Sequence, residues 1–236
     1  MSKDLINQRQ IQWFPGHMAK TLRVMEASLR QVDVVLQLLD ARIPYSSLNP
    51  EIARITRGKP HLYILNKADL ADPEVTSHWV SYFKKKGDGC IALSSKNRAG
   101  ISSVKNAILS RRSQKGMDGA KIRVMVVGIP NVGKSTFINS FAGASKAKAA
   151  DKPGVTRGKQ WIGVGNYDLL DMPGVLWKKF DSYKTASNLA FIGSIKDDIL
   201  DIEEIAVGLL EEMQNVDPQK LAQRYRLTEE ELKLEP

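Results

Sequence analysis

Arg123-Val124-Met125-Val126-Val127 runs without a break into Gly128-Ile129-Pro130-Asn131-Val132-Gly133-Lys134-Ser135-Thr136. A short β-branched strand thus leads into G-x-x-x-x-G-K-[ST], and the segment from Lys134 to Ala142 reads as the helix that should follow it. In that context the glycines let backbone N–H groups turn inward and form an anion nest at a helix N-terminus. Asn131, Val132, Gly133 and Thr136 would line the nest. Lys134 would bridge the β and γ phosphates of a nucleotide, and the Ser135 hydroxyl would complete a Mg²⁺ shell.

Working outward, five further apolar runs have strand character: Val34 to Leu39, His61 to Leu65, Cys90 to Leu93, Trp161 to Val164 and Tyr167 to Leu170. Helical segments separate most of them, at Pro50 to Arg57, Pro73 to Lys86 and Ile101 to Arg112. A first helix carries Leu22, Met25, Leu29 and Val32 at helical spacing. Strands alternating with helices predict an α/β fold with a six-stranded, mostly parallel sheet. The polar, glycine-containing stretch Arg111 to Ala120 reads as a surface linker between two halves of the sheet. After Ser182 no strand signal appears; Ile202, Ile205, Leu209 and Met213 mark one helix face, followed by Pro218 and a charged run. The expected organisation is a sheet domain over residues 1–180 and a helical domain over residues 181–236.

Composition narrows the function. The chain has 236 residues, and its single cysteine, Cys90, excludes an internal disulfide and a cysteine-rich zinc site. The start has no signal-peptide pattern and no apolar run approaches the ~20 residues that cross a bilayer, so a cytoplasmic protein that does not enter membranes is expected. Charge is unevenly spread. Residues 1–120 hold 19 Lys+Arg against 10 Asp+Glu, residues 121–180 hold 10 against 3, and residues 181–236 hold 6 against 13. A basic body with an acidic tail points to a polyanionic partner, nucleic acid first among them.

Four more elements complete a nucleotide site. Asp171-Met172-Pro173-Gly174 fits D-x-x-G, in which the Asp reaches Mg²⁺ through water and the Gly174 N–H meets the γ phosphate. Thr156, in the glycine-flanked segment Lys152 to Gly158, is placed to cap Mg²⁺ when a triphosphate is present. Asn66-Lys67-Ala68-Asp69, after the second strand, fits N-K-x-D. The Asp69 carboxylate can accept paired hydrogen bonds from the guanine ring N–H and exocyclic amine, a donor pair that adenine lacks. Ser94-Ser95-Lys96 follows the next strand, where backbone N–H groups would meet the guanine carbonyl and Lys96 would cover a ring face.

These five elements resemble those of translation-factor-type GTPases in rearranged order, with the base motifs before the phosphate motifs. The chain looks like a circularly permuted P-loop GTPase. Within that group Trp13-Phe14-Pro15-Gly16-His17-Met18-Ala19-Lys20 and Asp40-Ala41-Arg42-Ile43-Pro44 are similar to the bacterial ribosome biogenesis GTPase A family. The resemblance implies hydrolysis of GTP to GDP during late assembly of the large ribosomal subunit, slow alone and stimulated by the subunit precursor, with contacts to ribosomal RNA and a monomeric free protein. It also implies a tail that continues past the equivalent of Pro236. Val175 stands where Ras-like enzymes place a water-orienting glutamine. The family therefore nominates His17, on an N-terminal segment able to swing in, to join Lys134, Thr156 and Gly174 in catalysis. It nominates Asn131 to help hold K⁺ near the phosphates. The competing reading is a nucleotide-gated RNA-binding module with incidental hydrolysis; a membrane-trafficking GTPase would need a lipidation signal, and none is present.

Overall fold

The computed structural model describes residues 13–111, 120–143 and 159–234. Thr156, the segment around it and most of the expected linker lie outside them. The chain divides into two compact units, the larger spanning Phe14–Lys179 and the other formed from Phe180 onward.

The larger unit begins with α1 (Gly16–Ser28) and continues β1 (Val34–Asp40), α2 (Pro50–Ile55), β2 (His61–Asn66), α3 (Pro73–Lys85), β3 (Gly89–Ala92), α4 (Ile101–Arg111), β4 (Ile122–Gly128), α5 (Lys134–Ala142), β5 (Gln160–Val164) and β6 (Tyr167–Asp171). The strands form one sheet in the order β3-β2-β1-β4-β6-β5. Every neighbouring pair is parallel except β5 and β6. The fold is the expected permuted P-loop architecture. All seven residues of β1 are buried, the continuous apolar pattern of a strand covered on both faces. From β1 the chain steps outward to β2 and β3, then crosses back to β4 on the other side. That reversal creates a crevice at the carboxyl ends of β1 and β4, where an open parallel sheet binds ligands.

The first helix differs from expectation in which face it buries. Met18, Thr21, Met25 and Ser28 are buried, whereas Leu22 and Leu29 are only half-buried. The hydroxyls make this possible: Thr21 Oγ1 donates to the His17 carbonyl at 2.9 Å and Ser28 Oγ to that of Val24 at 2.7 Å. Neither therefore carries an unsatisfied group into the core.

The second unit holds α6 (Tyr183–Phe191), α7 (Ile202–Val216) and α8 (Pro218–Tyr225). The expected helical region holds a helix at Ile202–Val216, and Pro218 opens the next one. Asp217 caps it by accepting from the Lys220 N–H at 3.0 Å, and proline fits a first helical position whose N–H has no partner to lose. Along α7 no residue is fully buried, and Ile202 and Leu209 of the expected apolar face are 53% and 39% exposed.

Candidate functional site

Four of the motifs occupy the carboxyl edge of the parallel strands. β4 ends at Gly128 and its loop reaches α5 through Gly133, whose φ of 95° is a conformation that side chains disfavour. A Cβ there would also stand 2.5 Å from Asn66 Nδ2. Close approach is the point of this glycine. Asn66 Nδ2 donates to the Val132 carbonyl at 2.8 Å and its Oδ1 accepts from the Ser95 N–H at 3.1 Å, so one buried amide fastens the phosphate loop to both base motifs. Lys67, held at φ 61°, donates through Nζ to the Asn131 carbonyl at 2.8 Å.

The base side is pinned as firmly. The Ala68 N–H donates to the Leu93 carbonyl at 3.1 Å and the Leu93 N–H to that of Leu65 at 2.9 Å, so the turn Ala68–Leu70 rests on the loop that carries Ser94 to Lys96. Ser95 is further tied by the hydroxyl of Ser140 from α5, which donates to its carbonyl. Ser94 and Ser95 are buried while Asp69 and Lys96 are exposed. The Ser95 amide is committed to Asn66, whereas its buried hydroxyl has no hydrogen-bond partner among the described residues.

On the phosphate side Lys134 is buried, with Nζ donating to the Ile129 carbonyl at 2.9 Å. Burial pushes its pKa down to about 8, opposed by the nearby carboxylate of Asp171 at the end of β6. A cation kept dry beside one carboxylate suits a ligand that brings more negative charge. Ser135 is half-buried in the first turn of α5, Thr136 and Asn131 are exposed, and Gly174 is half-buried. A methyl on Gly174 would fall 2.7 Å from Pro130 Cα and 3.0 Å from Lys134 Nζ, so the absent side chain keeps a cradle open over the loop.

His17 is exposed in the first turn of α1. It sits in regular helix rather than on a free strand of chain. The next residue, Met18, is buried and its Sδ accepts from the Leu176 N–H at 3.4 Å, which places the start of α1 beside the segment after Gly174. Val175 is completely buried, its N–H donating to the Gly128 carbonyl at 3.2 Å. It is a core residue and presents nothing to a water molecule.

Sequence reasoning missed one functional group. Asp40, at the end of β1, has no exposure, yet its carboxylate accepts from Arg42 Nε at 2.9 Å and Arg42 Nη2 at 2.8 Å, and pairs with Lys67 Nζ at 2.9 Å. Although desolvation works against the charge, these bonds from Arg42 and Lys67 hold the carboxyl below the usual range. Asp40 therefore fixes the lysine that bridges base motif and phosphate loop. The available signal was a carboxylate closing a run apolar but for Gln37, which a buried strand tolerates only with charged partners. In the Asp40→Asn protein two cations lose their shared partner, and GTP affinity is expected to fall about 10–100-fold at about 1.4 kcal/mol per tenfold. Titration with a fluorescent GTP analogue checks this.

The family model described as 50S ribosome-binding GTPase matches residues 123–230. Ribosome biogenesis GTPase A of Bacillus cereus is 45% identical over 227 residues, covering 93% of this chain and 77% of that one. The chain belongs to the ribosome biogenesis GTPase A family. Within that family the Priestia megaterium member is 46% identical over 228 residues, covering 93% of this chain and 79% of its own. Among solved structures, GNP-bound YlqF from T. maritima superposes with a TM-score of 0.57 at 31% identity, covering 79% of this chain and 71% of that one. Its GDP-bound form gives 0.59 at 28% identity, covering 89% and 87%. Membership makes this chain a GTP-binding enzyme that hydrolyses GTP, and the rearranged motif order is that of its family.

Proposed function

We propose that this GTPase times its binding to, and release from, the precursor of the large ribosomal subunit late in assembly, touching ribosomal RNA and working in the cytoplasm as a monomer when free. The observation that carries the reading is the direct fastening of base motif to phosphate loop, Asn66 to Val132 and Lys67 to Asn131, each at 2.8 Å. Such a site registers which phosphates are present and holds guanine in the same rigid body. Among the described residues no helix is long and apolar enough to cross a membrane.

The residues fit Mg²⁺. A hydroxyl, Ser135, follows the Lys134 that borders the Gly174 cradle, and a buried carboxylate, Asp171, opens the same D-x-x-G motif, while no group of three His, Cys, Asp or Glu residues stands ready to hold a metal among the described residues. That sparse set suits an ion whose remaining ligands are phosphate oxygens and water. Ser135, Asp171 and Thr156 would hold it, and when bound it supplies positive charge at the phosphates. Asn131, exposed on the loop, would help hold K⁺ at the same edge. Lys134 anchors the β and γ phosphates and the Gly174 N–H meets the γ phosphate. Asp69 reads the guanine donors and Lys96 supplies both a backbone donor and a cover for the ring.

With Val175 in the core, the water must be placed from elsewhere. His17 does this, carried on the end of α1 that Met18 fixes beside Leu176. The test is phosphate release from GTP with and without purified large subunits, in K⁺ and in Na⁺, with ATP as control. Subunits should stimulate turnover of GTP alone, more in K⁺, and His17→Ala should remove on the order of 10²-fold of the stimulated rate while leaving GTP affinity intact. Unchanged stimulated turnover in His17→Ala would sink the role of His17. Tight GTP-dependent subunit binding without stimulation would favour the nucleotide-gated module instead.

A further inference from the structure

The side of α1 opposite its buried face carries Lys20, Arg23 and Arg30, the last in the single 3₁₀ turn that extends the helix. All three are exposed, and none takes part in an ion pair among the described residues. At helical spacing they fall in one stripe roughly 15 Å long, diametrically across from Met18 and Met25. Glu26, the helix's lone acid, stands three positions after Arg23 and four before Arg30 at the edge of the stripe, and forms an ion pair with neither among the described residues. Three cations outside any ion pair, against one neighbouring carboxylate, on a rigid rod form a net-positive surface suited to a row of anions rather than to a single one.

The buried side of the same helix leads to the nucleotide site. Met18 Sδ holds the Leu176 N–H at 3.4 Å. Asn49 caps α2 through its Oδ1 and donates through Nδ2 to the Val175 carbonyl at 2.9 Å. The Val175 N–H in turn reaches the Gly128 carbonyl of the phosphate loop at 3.2 Å. Residues 175 and 176 are thus clasped between the two N-terminal helices on one side and the phosphate loop on the other.

We infer that the Lys20–Arg23–Arg30 stripe of α1 is a docking face for the phosphate backbone of RNA, carried on the helix whose other side already holds the segment that follows Gly174. The inference rests on the assembly reading above and adds the surface through which RNA is met. RNA is favoured over an acidic protein because the stripe has regular spacing with no large apolar residue to anchor a protein side chain, Ala27 being its remaining member. The basic balance of residues 1–180 also extends the attraction beyond the stripe.

The decisive experiment compares two charge-matched variants of the full chain, Lys20→Gln/Arg23→Gln/Arg30→Gln and Lys84→Gln/Lys85→Gln/Lys86→Gln. Binding to a double-stranded RNA hairpin and to purified large ribosomal subunits is titrated across a KCl series in the presence of a non-hydrolysable GTP analogue. The stripe variant should bind both probes at least about tenfold more weakly, with the salt slope reduced by about 2–3, while the α3 variant stays close to wild type. GTP hydrolysis without RNA should be unchanged in both, and subunit-stimulated hydrolysis should fall with binding in the stripe variant alone. Equal losses in the two variants would mean that only net charge matters and would overturn the inference. So would loss of subunit binding with hairpin binding intact, which would make the partner an acidic protein. Subunit binding by the stripe variant at wild-type strength would refute the docking face and leave the assembly reading standing. Failure of the wild type to bind either probe would remove both.

Discussion

Asp69→Asn is expected to bind GTP about 10³–10⁴-fold more weakly than the wild type and to accept xanthosine triphosphate in its place. Asp69 is exposed in the turn Ala68–Leu70, with Lys67 before it held at φ 61° and Ala68 anchored to the Leu93 carbonyl at 3.1 Å. The carboxylate is thus held on a rigid support and offers acceptors alone. Guanine presents two donors to it, the ring N–H and the exocyclic amine. An asparagine keeps one acceptor but turns an N–H toward the amine, so a pair of donors confronts each other. Xanthine carries a carbonyl where guanine has the amine, and the amide then pairs at both positions. Because the residue is exposed, folding should change by no more than about 0.5 kcal/mol. Competition of GTP, xanthosine triphosphate and ATP against a fluorescent nucleotide measures the switch. A variant that still prefers GTP would show that guanine is recognised elsewhere.

Lys134→Met should reduce GTP affinity and turnover on the order of 10²–10³-fold while raising the stability of the nucleotide-free protein. Methionine keeps the length and loses the charge. In the wild type the buried ammonium faces the Ile129 carbonyl at 2.9 Å, and burial draws its pKa from 10.5 to about 8. A lysine whose folded pKa lies below its unfolded value penalises the folded state while it is charged. That penalty is full below about pH 8 and is relieved as pH rises toward 10.5. The melting advantage of the methionine variant should therefore be largest at neutral pH and fade at alkaline pH. Nucleotide binding runs the other way: phosphates favour the charged lysine, so wild-type affinity should hold below pH 8 and decline above it, with proton uptake on binding. Thermal melts and calorimetric titrations in buffers of different ionisation enthalpy, at pH 7 and pH 9, test both signs. A methionine variant with weakened GTP binding but no gain in stability would show that the lysine is already compensated in the free protein.

These effects fall on residues that motif spacing identified, and the reason is local. A strand that must run into an anion nest, or into a turn carrying Asn-Lys-x-Asp, is constrained within about ten consecutive residues, so order and spacing alone reveal it. The six strands were visible for the same reason, since each is a short apolar run bounded by polar residues. Where the reading of α1 slipped, the cause was also local: Thr21 and Ser28 look polar in a one-dimensional pattern but satisfy their hydroxyls within the helix and join the core. The sequence left the role of Pro218 open, since proline ends one helix or begins another, and the cap provided by Asp217 decides it.

The chain by itself determined the nucleotide chemistry, the parallel α/β architecture and the permuted order, because each is written in neighbouring residues. Only the tertiary structure decided how the pieces become one site. Asp40 and Lys67 are 27 positions apart, Asn66 and Val132 are 66 apart, and Asn49 and Val175 are 126 apart, yet each pair meets within 3 Å. Contacts of that kind depend on which strands the sheet sets side by side. No periodicity along the chain records them, and together with the contact of Met18 to Leu176 they join the base motif, the phosphate loop and the first helix.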